Sequence, residues 1–177
     1  MGAVCGVKVT GLEFVPRSGP LIVACNHVSW VDGPLLGAAI APARRPRFLG
    51  KKELFTLPPL AWLMRDIGAI PLDRGTGDLA ALRAALAVLR AGGSLAIFPE
   101  GTRVKPGEKR PPKSGVAFLA ARVGARVVPV RVTGTERFPF ARPLEARFGP
   151  PLDPPAERGR EAASAFARAV MNAIEAL

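Results

Sequence analysis

Leu21-Ile22-Val23-Ala24-Cys25 is followed at once by Asn26-His27-Val28-Ser29-Trp30-Val31-Asp32. Five apolar residues in a row predict a strand buried on both faces. Such a strand belongs to a parallel or mixed sheet lying between helices. The residues after it turn polar and carry the only histidine of the chain. Loops at strand ends are where sites usually lie.

The same alternation of strand and helix continues outward. Arg47 to Lys51 and Ala69 to Leu72 predict two further strands, the second shortened by Pro71. Asp78 to Ala91 is the clearest helix. Asp78 is placed to cap it, and Leu79, Leu82, Leu86 and Leu89 form one stripe. Gly92 and Gly93 end it with residues that tolerate positive φ. Ser94 to Phe98 is the next strand. Ser114 is placed to cap a second helix, with Val116, Leu119, Ala120 and Val123 inward and Gly124 as terminator. Arg126 to Val132 and Leu144 to Phe148 return as strands. Glu161 to Leu177 predicts a last helix with Phe166, Val170, Ile174 and Leu177 on one face. The expected fold class is α/β, a mixed, mostly parallel sheet flanked by helices. Arg103 to Lys113, Phe138 to Pro143 and Gly149 to Pro155 are proline-broken and predict loops. Leu54 to Met64 is almost wholly apolar. Its adjacent prolines argue against one uninterrupted helix. Taken alone, the run reads as core in preference to a surface patch.

The chain has 177 residues, 49% hydrophobic and 22% charged. That is globular composition, and the length fits a single domain spanning residues 1–177. Two cysteines without a CxxC pair make a disulfide scaffold or a structural zinc site an unattractive reading. Lys plus Arg is 25 against 14 Asp plus Glu, a net charge of +11. Such an excess favours anionic partners without choosing among nucleic acid, phospholipid surface and phosphorylated substrate. It is also what plain arginine usage for solubility would produce. No run reaches the length of a membrane-spanning helix, and Met1 to Thr10 lacks a secretory pattern. The expectation is a cytoplasmic chain with no separate N-terminal transmembrane segment.

Two segments directly after strands carry candidate chemistry. In the first, a carboxylate at Asp32 would fix the tautomer of His27 and leave its second nitrogen as a base. Within one helix, side chains five apart diverge by roughly 140°. The two meet only if the chain turns between them. The competing reading is a capping box, Ser29-x-x-Asp32, with His27 buried and neutral. The second segment is Phe98-Pro99-Glu100-Gly101-Thr102-Arg103. Arg103 offers a planar fork suited to phosphate, Glu100 accepts from hydroxyls, and Gly101 admits a ligand close to the backbone. An ordinary turn with a surface ion pair is the alternative. Lys105, Lys109, Arg110 and Lys113 follow closely and raise the positive potential. A third segment, Gly68 to Arg74 with Lys51 and Lys52 upstream, offers Lys51 and Arg74 as anion contacts or as plain solvated charges. No GxxxxGK[ST], GxGxxG, HExxH or GxSxG pattern occurs.

Together these segments form a pattern. N-H-x-S-x-x-D, K-x-E-L-F, G-A-I-P-L-D-R, F-P-E-G-T-R and V-P-V, in that order, resemble the glycerolipid acyltransferase family. The likeness is nearest to bacterial 1-acyl-glycerol-3-phosphate acyltransferases and runs from about Val7 to about Leu152. It implies a general base at His27 and an orienting partner at Asp32. It implies acceptor and phosphate binding by Glu100, Gly101, Thr102 and Arg103, with Lys51 and Arg74 as further basic contacts. It places Pro129 in a strand associated with acyl-chain binding. Val104 stands where many members have Ser. The implied reaction moves an acyl group from acyl-CoA or acyl-carrier protein, as co-substrate, to a lysophospholipid, with no cofactor and no metal. The implied partners are that lipid, the donor and an anionic membrane surface, not nucleic acid, with the protein peripheral on the inner face of the cell membrane. Another acceptor, such as glycerol-3-phosphate or a second lysolipid, and a non-enzymatic basic membrane binder are the alternatives.

Overall fold

All five side chains of Leu21–Cys25 are buried, as a strand covered on both faces requires. The computed structural model describes residues 2–4, 7–73, 78–105, 108–138, 143–156 and 159–177. Among these, the strands are β1 (Gly2–Val4), β2 (Val7–Thr10), β3 (Leu21–Cys25), β4 (Arg47–Lys51), β5 (Ile70–Leu72), β6 (Ser94–Ile97), β7 (Arg126–Thr133) and β8 (Leu144–Phe148). The helices are α1 (Asp32–Ile40), α2 (Pro58–Asp66), α3 (Leu79–Arg90), α4 (Gly115–Val123) and α5 (Arg160–Glu175). The strands form one sheet in the order β1-β2-β8-β7-β3-β6-β4-β5. β3 lies parallel to both β6 and β7, with Leu21 opposite Ser94 and Arg126. β4 is parallel to β6 and to β5. β8 is antiparallel to β7, and β1 to β2, while β2 is parallel to β8. The sheet is mixed and mostly parallel, as expected.

Side-chain alternation along β3 divides the core in two. Leu21, Val23 and Cys25 pack with Leu36, Ala39 and Ile40 of α1 on one face. Ile22 and Ala24 pack with Leu89 of α3, Leu119 of α4 and Val170 of α5 on the other. The parallel strands β3, β4, β5, β6 and β7 therefore end on one edge, and their following loops gather there.

Several expectations need correction. Asp78 does cap α3, its Oδ1 accepting from Ala81 N at 2.9 Å. Leu79, however, is exposed, and the buried stripe is Ala81, Ala85, Leu86 and Leu89. Leu79 lines a cavity instead of the core. Ser114 takes helical backbone angles and makes no cap bond. Leu54 to Met64 is not core. Lys52–Phe55 forms a 3₁₀ turn, and Pro58 and Pro59 open α2, where the missing N–H groups cost nothing. Ala61 is the buried residue of α2, while Leu57 and Trp62 are more than half exposed. β1, β2, α1 and α2 lack a clear counterpart in the periodicity reading. Residues 106–107 and 139–142 of the expected loops lie outside the described residues.

Candidate active site

β3 stops at Cys25 while β7 beside it runs on to Thr133. The side chain of Asn26 fills the ladder position that the departing backbone vacates. Its Nδ2 donates to Val132 O at 2.9 Å, and its Oδ1 accepts from Val132 N at 2.7 Å. A primary amide copies a peptide group, so the chain leaves the sheet without stranding a buried donor. His27 comes next, held by its backbone on two sides. Its N–H donates to Glu100 Oε1 at 3.0 Å, and its carbonyl accepts from Val104 N at 2.8 Å.

The chain bends through Ser29 to Val31 before α1 begins at Asp32. That bend supplies the turn the spacing demanded. Asp32 Oδ2 lies 3.0 Å from His27 Nδ1 and accepts from the N–H groups of Val28 and Ser29, each at 2.7 Å. A carboxylate facing Nδ1 assigns the proton to that nitrogen and leaves Nε2 with its lone pair free to accept one. The capping-box reading is half right. Asp32 does accept from Ser29 N, but the N-cap is Val31, and the reciprocal bond is missing: Asp32 N donates to Ser29 O at 3.4 Å, and Ser29 Oγ accepts from Val31 N at 3.5 Å. One fully buried carboxylate thus closes the turn and orients the imidazole. The imidazole is mostly buried, and its face stacks on Phe98 at 4.1 Å and 18°.

Phe98 to Val104 is a tight turn. Gly101 has φ +70°, and its N–H donates to Phe98 O at 2.9 Å. Lys113 N closes the segment onto Pro99 O at 2.9 Å. Glu100 is buried, and that burial raises its pKa against the opposing pull of its backbone hydrogen bonds. Among the described residues, Glu100 Oε2 and Asp32 Oδ1 are buried without a hydrogen-bond partner. Burial, reinforced by these two carboxylates, pushes the Cys25 thiol well up, so it is no thiolate nucleophile.

The structure therefore brings His27, Asp32, Glu100 and Gly101 together. Thr102 is half-buried and Arg103 exposed in the same turn. Lys51 ends β4 and pairs with Glu53 at 3.2 Å, and Lys52 pairs with Asp73. Arg74 lies outside the described residues. Periodicity and spacing had not assigned roles to Asn26, Phe98 or Val104. The signals for them were an amide directly after an apolar run and apolar residues flanking the Glu-Gly-Thr-Arg turn.

Two cavities open on either side of this turn. One, of about 510 Å³, is bounded by Leu82, Ile97, Phe98, Val116 and Leu119. The other, of about 800 Å³, is cationic and lies between the segment after Arg103 and α5. Among the described residues, no group of three or more His, Cys, Asp or Glu is placed to hold a metal ion. No helix among them is long and apolar enough to cross a membrane.

A family model described as Acyltransferase matches residues 6–133. A 1-acyl-sn-glycerol-3-phosphate acyltransferase of Bacillus subtilis is 33% identical, over 73% of this chain and 63% of its own length. A chloroplastic enzyme of that name from Brassica napus is 32% identical, over 72% of this chain and 37% of its own. A lyso-ornithine lipid O-acyltransferase of Pseudomonas aeruginosa is 38% identical, over 72% of this chain and 47% of its own. The chain thus spans about a third to two thirds of the length of these relatives. The crystal structure of the 1-acyl-sn-glycerophosphate acyltransferase PlsC from Thermotoga maritima superposes with a TM-score of 0.77 at 29% identity, covering 96% of this chain and 71% of that one. With its mixed sheet, its histidine and aspartate joined across a strand-to-helix bend, and these matches, the chain belongs to the acyltransferase family.

Proposed function

We propose that this chain transfers a fatty acyl group from a thioester, acyl-CoA or acyl-carrier protein, to the free hydroxyl of 1-acyl-glycerol-3-phosphate, giving phosphatidic acid. The observation that carries it is the 3.0 Å contact between His27 Nδ1 and Asp32 Oδ2 beside an apolar cavity. An alcohol is a poor nucleophile near neutral pH, so a base must take its proton as it attacks. Nε2 of His27 is that base, and the Asp32 carboxylate stabilises the imidazolium that forms. The alkoxide oxygen bonds to the thioester carbon, the tetrahedral intermediate breaks its C–S bond, and the imidazolium returns the proton to the leaving thiolate. No acyl-enzyme is needed. Arg103 binds the acceptor phosphate and so positions the hydroxyl, with Lys51 and Arg74 as further cations. The Leu82 and Leu119 side of the turn takes the acyl chain.

The lipid acceptor brings the protein to an anionic membrane surface. Both tryptophans of the chain support this reading: Trp30 is 67% exposed and Trp62 68% exposed. Trp30 follows β3, and Leu57 and Trp62 follow β4, so all three sit in connections leaving the catalytic edge. Indole rings favour the interface between water and hydrocarbon.

The identity to a lyso-ornithine lipid acyltransferase supports a second acceptor class, a lysolipid without glycerol phosphate. Transfer assays with lysophosphatidate, lyso-ornithine lipid and glycerol-3-phosphate, each with both donors, decide between them. The proposal expects lysophosphatidate to be acylated fastest. Preference for lyso-ornithine lipid would overturn the acceptor, and no transfer to any of them would overturn the reaction.

A further inference from the structure

Trp30 stands on the bend that joins His27 to Asp32. Its neighbours Val31 and Asp32 are buried, and Asp32 Oδ2 draws in the N–H groups of Val28 and Ser29. The bend is thus pinned from within by a carboxylate, while its indole stays 67% exposed. That ring meets Phe138 edge-on, with centroids 6.1 Å apart and planes at 87°. Phe138 follows β7 as Trp30 follows β3, and it too is exposed. β3 and β7 are parallel neighbours, so the pair bridges two adjacent loops of the catalytic edge. Single apolar side chains scattered on a surface need no explanation, but exposed aromatic rings in contact beside a site do.

The surroundings of the pair say what covers it. β6 is the other parallel neighbour of β3, and the connection after it runs against the histidine loop, with Val104 N donating to His27 O at 2.8 Å. That connection exposes Arg103, Lys105, Lys109, Arg110 and Lys113, and Glu108 is its one exposed acid among the described residues. Aromatic rings on one loop and cations on the next match an anionic bilayer, where indoles settle at headgroup depth and phosphates meet Lys and Arg. A second copy of this chain would instead bring like charge to the contact, since each carries +11.

We infer that the Trp30–Phe138 pair docks on an anionic lipid surface and that this contact sets the turnover rate, because fixing the tip of the bend holds the His27 imidazole against Asp32. The inference rests on the membrane reading above and adds the regulation of the same site. Trp30 is a positioning residue, acting through the bend and not on the substrate. Lipid that binds the ordered bend better than its alternatives shifts the population toward order. A surface that only concentrated the acceptor would lower KM, whereas one that orders the bend raises kcat.

The test uses the intact protein with a short-chain lysophosphatidate and a short-chain acyl thioester, both monomeric in water, with and without phosphatidylglycerol vesicles. Vesicles should raise wild-type kcat about fivefold or more, the lower end of ordinary coupling between two sites. Trp30→Ala should still float with the vesicles through Trp62 and the cations, keep its Tm, and lose that stimulation. Trp30→Phe should retain most of it. Two readouts need no turnover. In the Trp62→Phe protein the remaining tryptophan is Trp30, and its emission should move to the blue when vesicles are added. The NMR signals of the ring of His27, the sole histidine, should respond to anionic bicelles in the wild type and not in Trp30→Ala. A Trp30→Ala protein stimulated as strongly as wild type, or a protein that floats while Trp30 emission stays put, overturns the inference and leaves peripheral binding intact. An emission shift that follows protein concentration without vesicles assigns the pair to a second copy and overturns it too. Protein that does not float at all takes the membrane reading down with it. If no acceptor is acylated, the reaction reading falls, and the emission and ring signals still decide this one.

Discussion

Asp32→Asn changes one atom of a side chain that is fully buried and receives three donors on a single oxygen, Oδ2. If the amide oxygen takes the Oδ2 place, the N–H groups of Val28 and Ser29 keep an acceptor. The NH₂ group then falls where Oδ1 now lies, and Oδ1 has no partner among the described residues. A buried donor without an acceptor costs about 1–3 kcal/mol. Charge-assisted bonds are roughly twice as strong as neutral ones, so the bonds that remain also weaken. The sum is about 2–4 kcal/mol, which for a chain of this length lowers Tm by roughly 5–15 °C. If the amide flips, NH₂ meets both backbone donors and offers a proton to Nδ1. That moves the imidazole hydrogen to Nε2, and the base is lost. Either way the imidazolium loses its counter-charge, and kcat should fall by about 10²- to 10⁴-fold. The assay is release of free thiol from an acyl thioester, read beside a thermal melt. His27→Ala is the companion variant. It leaves the bonds from Val28 and Ser29 to Asp32 in place, so it should lose a similar factor in rate with a much smaller fall in Tm. The double variant should be no slower than His27→Ala alone. An Asp32→Asn protein with nearly wild-type kcat and only a lowered Tm would show that the carboxylate closes a turn and nothing more.

Four further outcomes are expected. Arg103→Ala should raise the acceptor KM and leave the donor KM nearly unchanged, because loss of a charged hydrogen bond costs on the order of 1.5–3 kcal/mol; equal effects on both substrates in steady-state kinetics would remove Arg103 from the acceptor site. Gly101→Ala should lower Tm through the φ of +70°, which costs a residue with a Cβ about 1–2 kcal/mol. Its new methyl would also lie 2.6 Å from Lys113 Cε, but that flexible side chain swings aside, so an unchanged melt would refute the backbone term. Burial raises the pKa of Glu100, so the folded state holds that proton more tightly than the unfolded chain does. Its stabilisation is complete below the ordinary glutamate range and fades as pH climbs through the raised value. Glu100→Gln still accepts from His27 N and does not titrate, so its Tm relative to wild type should rise from acid to neutral pH; a flat difference refutes this. Trp62→Ala should reduce flotation with anionic vesicles, most visibly at high salt, without moving Tm, since the indole is 68% exposed; unchanged flotation would remove α2 from the membrane contact.

Local pattern was enough for much of this protein. Leu21 to Cys25 had to be a doubly covered strand because all five of its residues are apolar, and alternation with amphipathic runs implied helices on both faces of a sheet. The spacing of His27 and Asp32 already required a bend, since no continuous helix brings them together. Other features depended on contacts that short-range sequence does not encode. Leu54 to Met64 reads as core, yet α2 packs against the 3₁₀ turn Lys52–Phe55 and leaves Leu57 and Trp62 exposed, and periodicity names a stripe without naming what covers it. The same holds for Leu79, which lines a cavity instead of joining the buried stripe of α3. The bond from His27 N to Glu100 spans 73 residues, and the cationic groove joins Lys105 to Arg168. Both exist because parallel strands β3 and β6 end side by side and α5 packs back across β7, which only long-range burial decides.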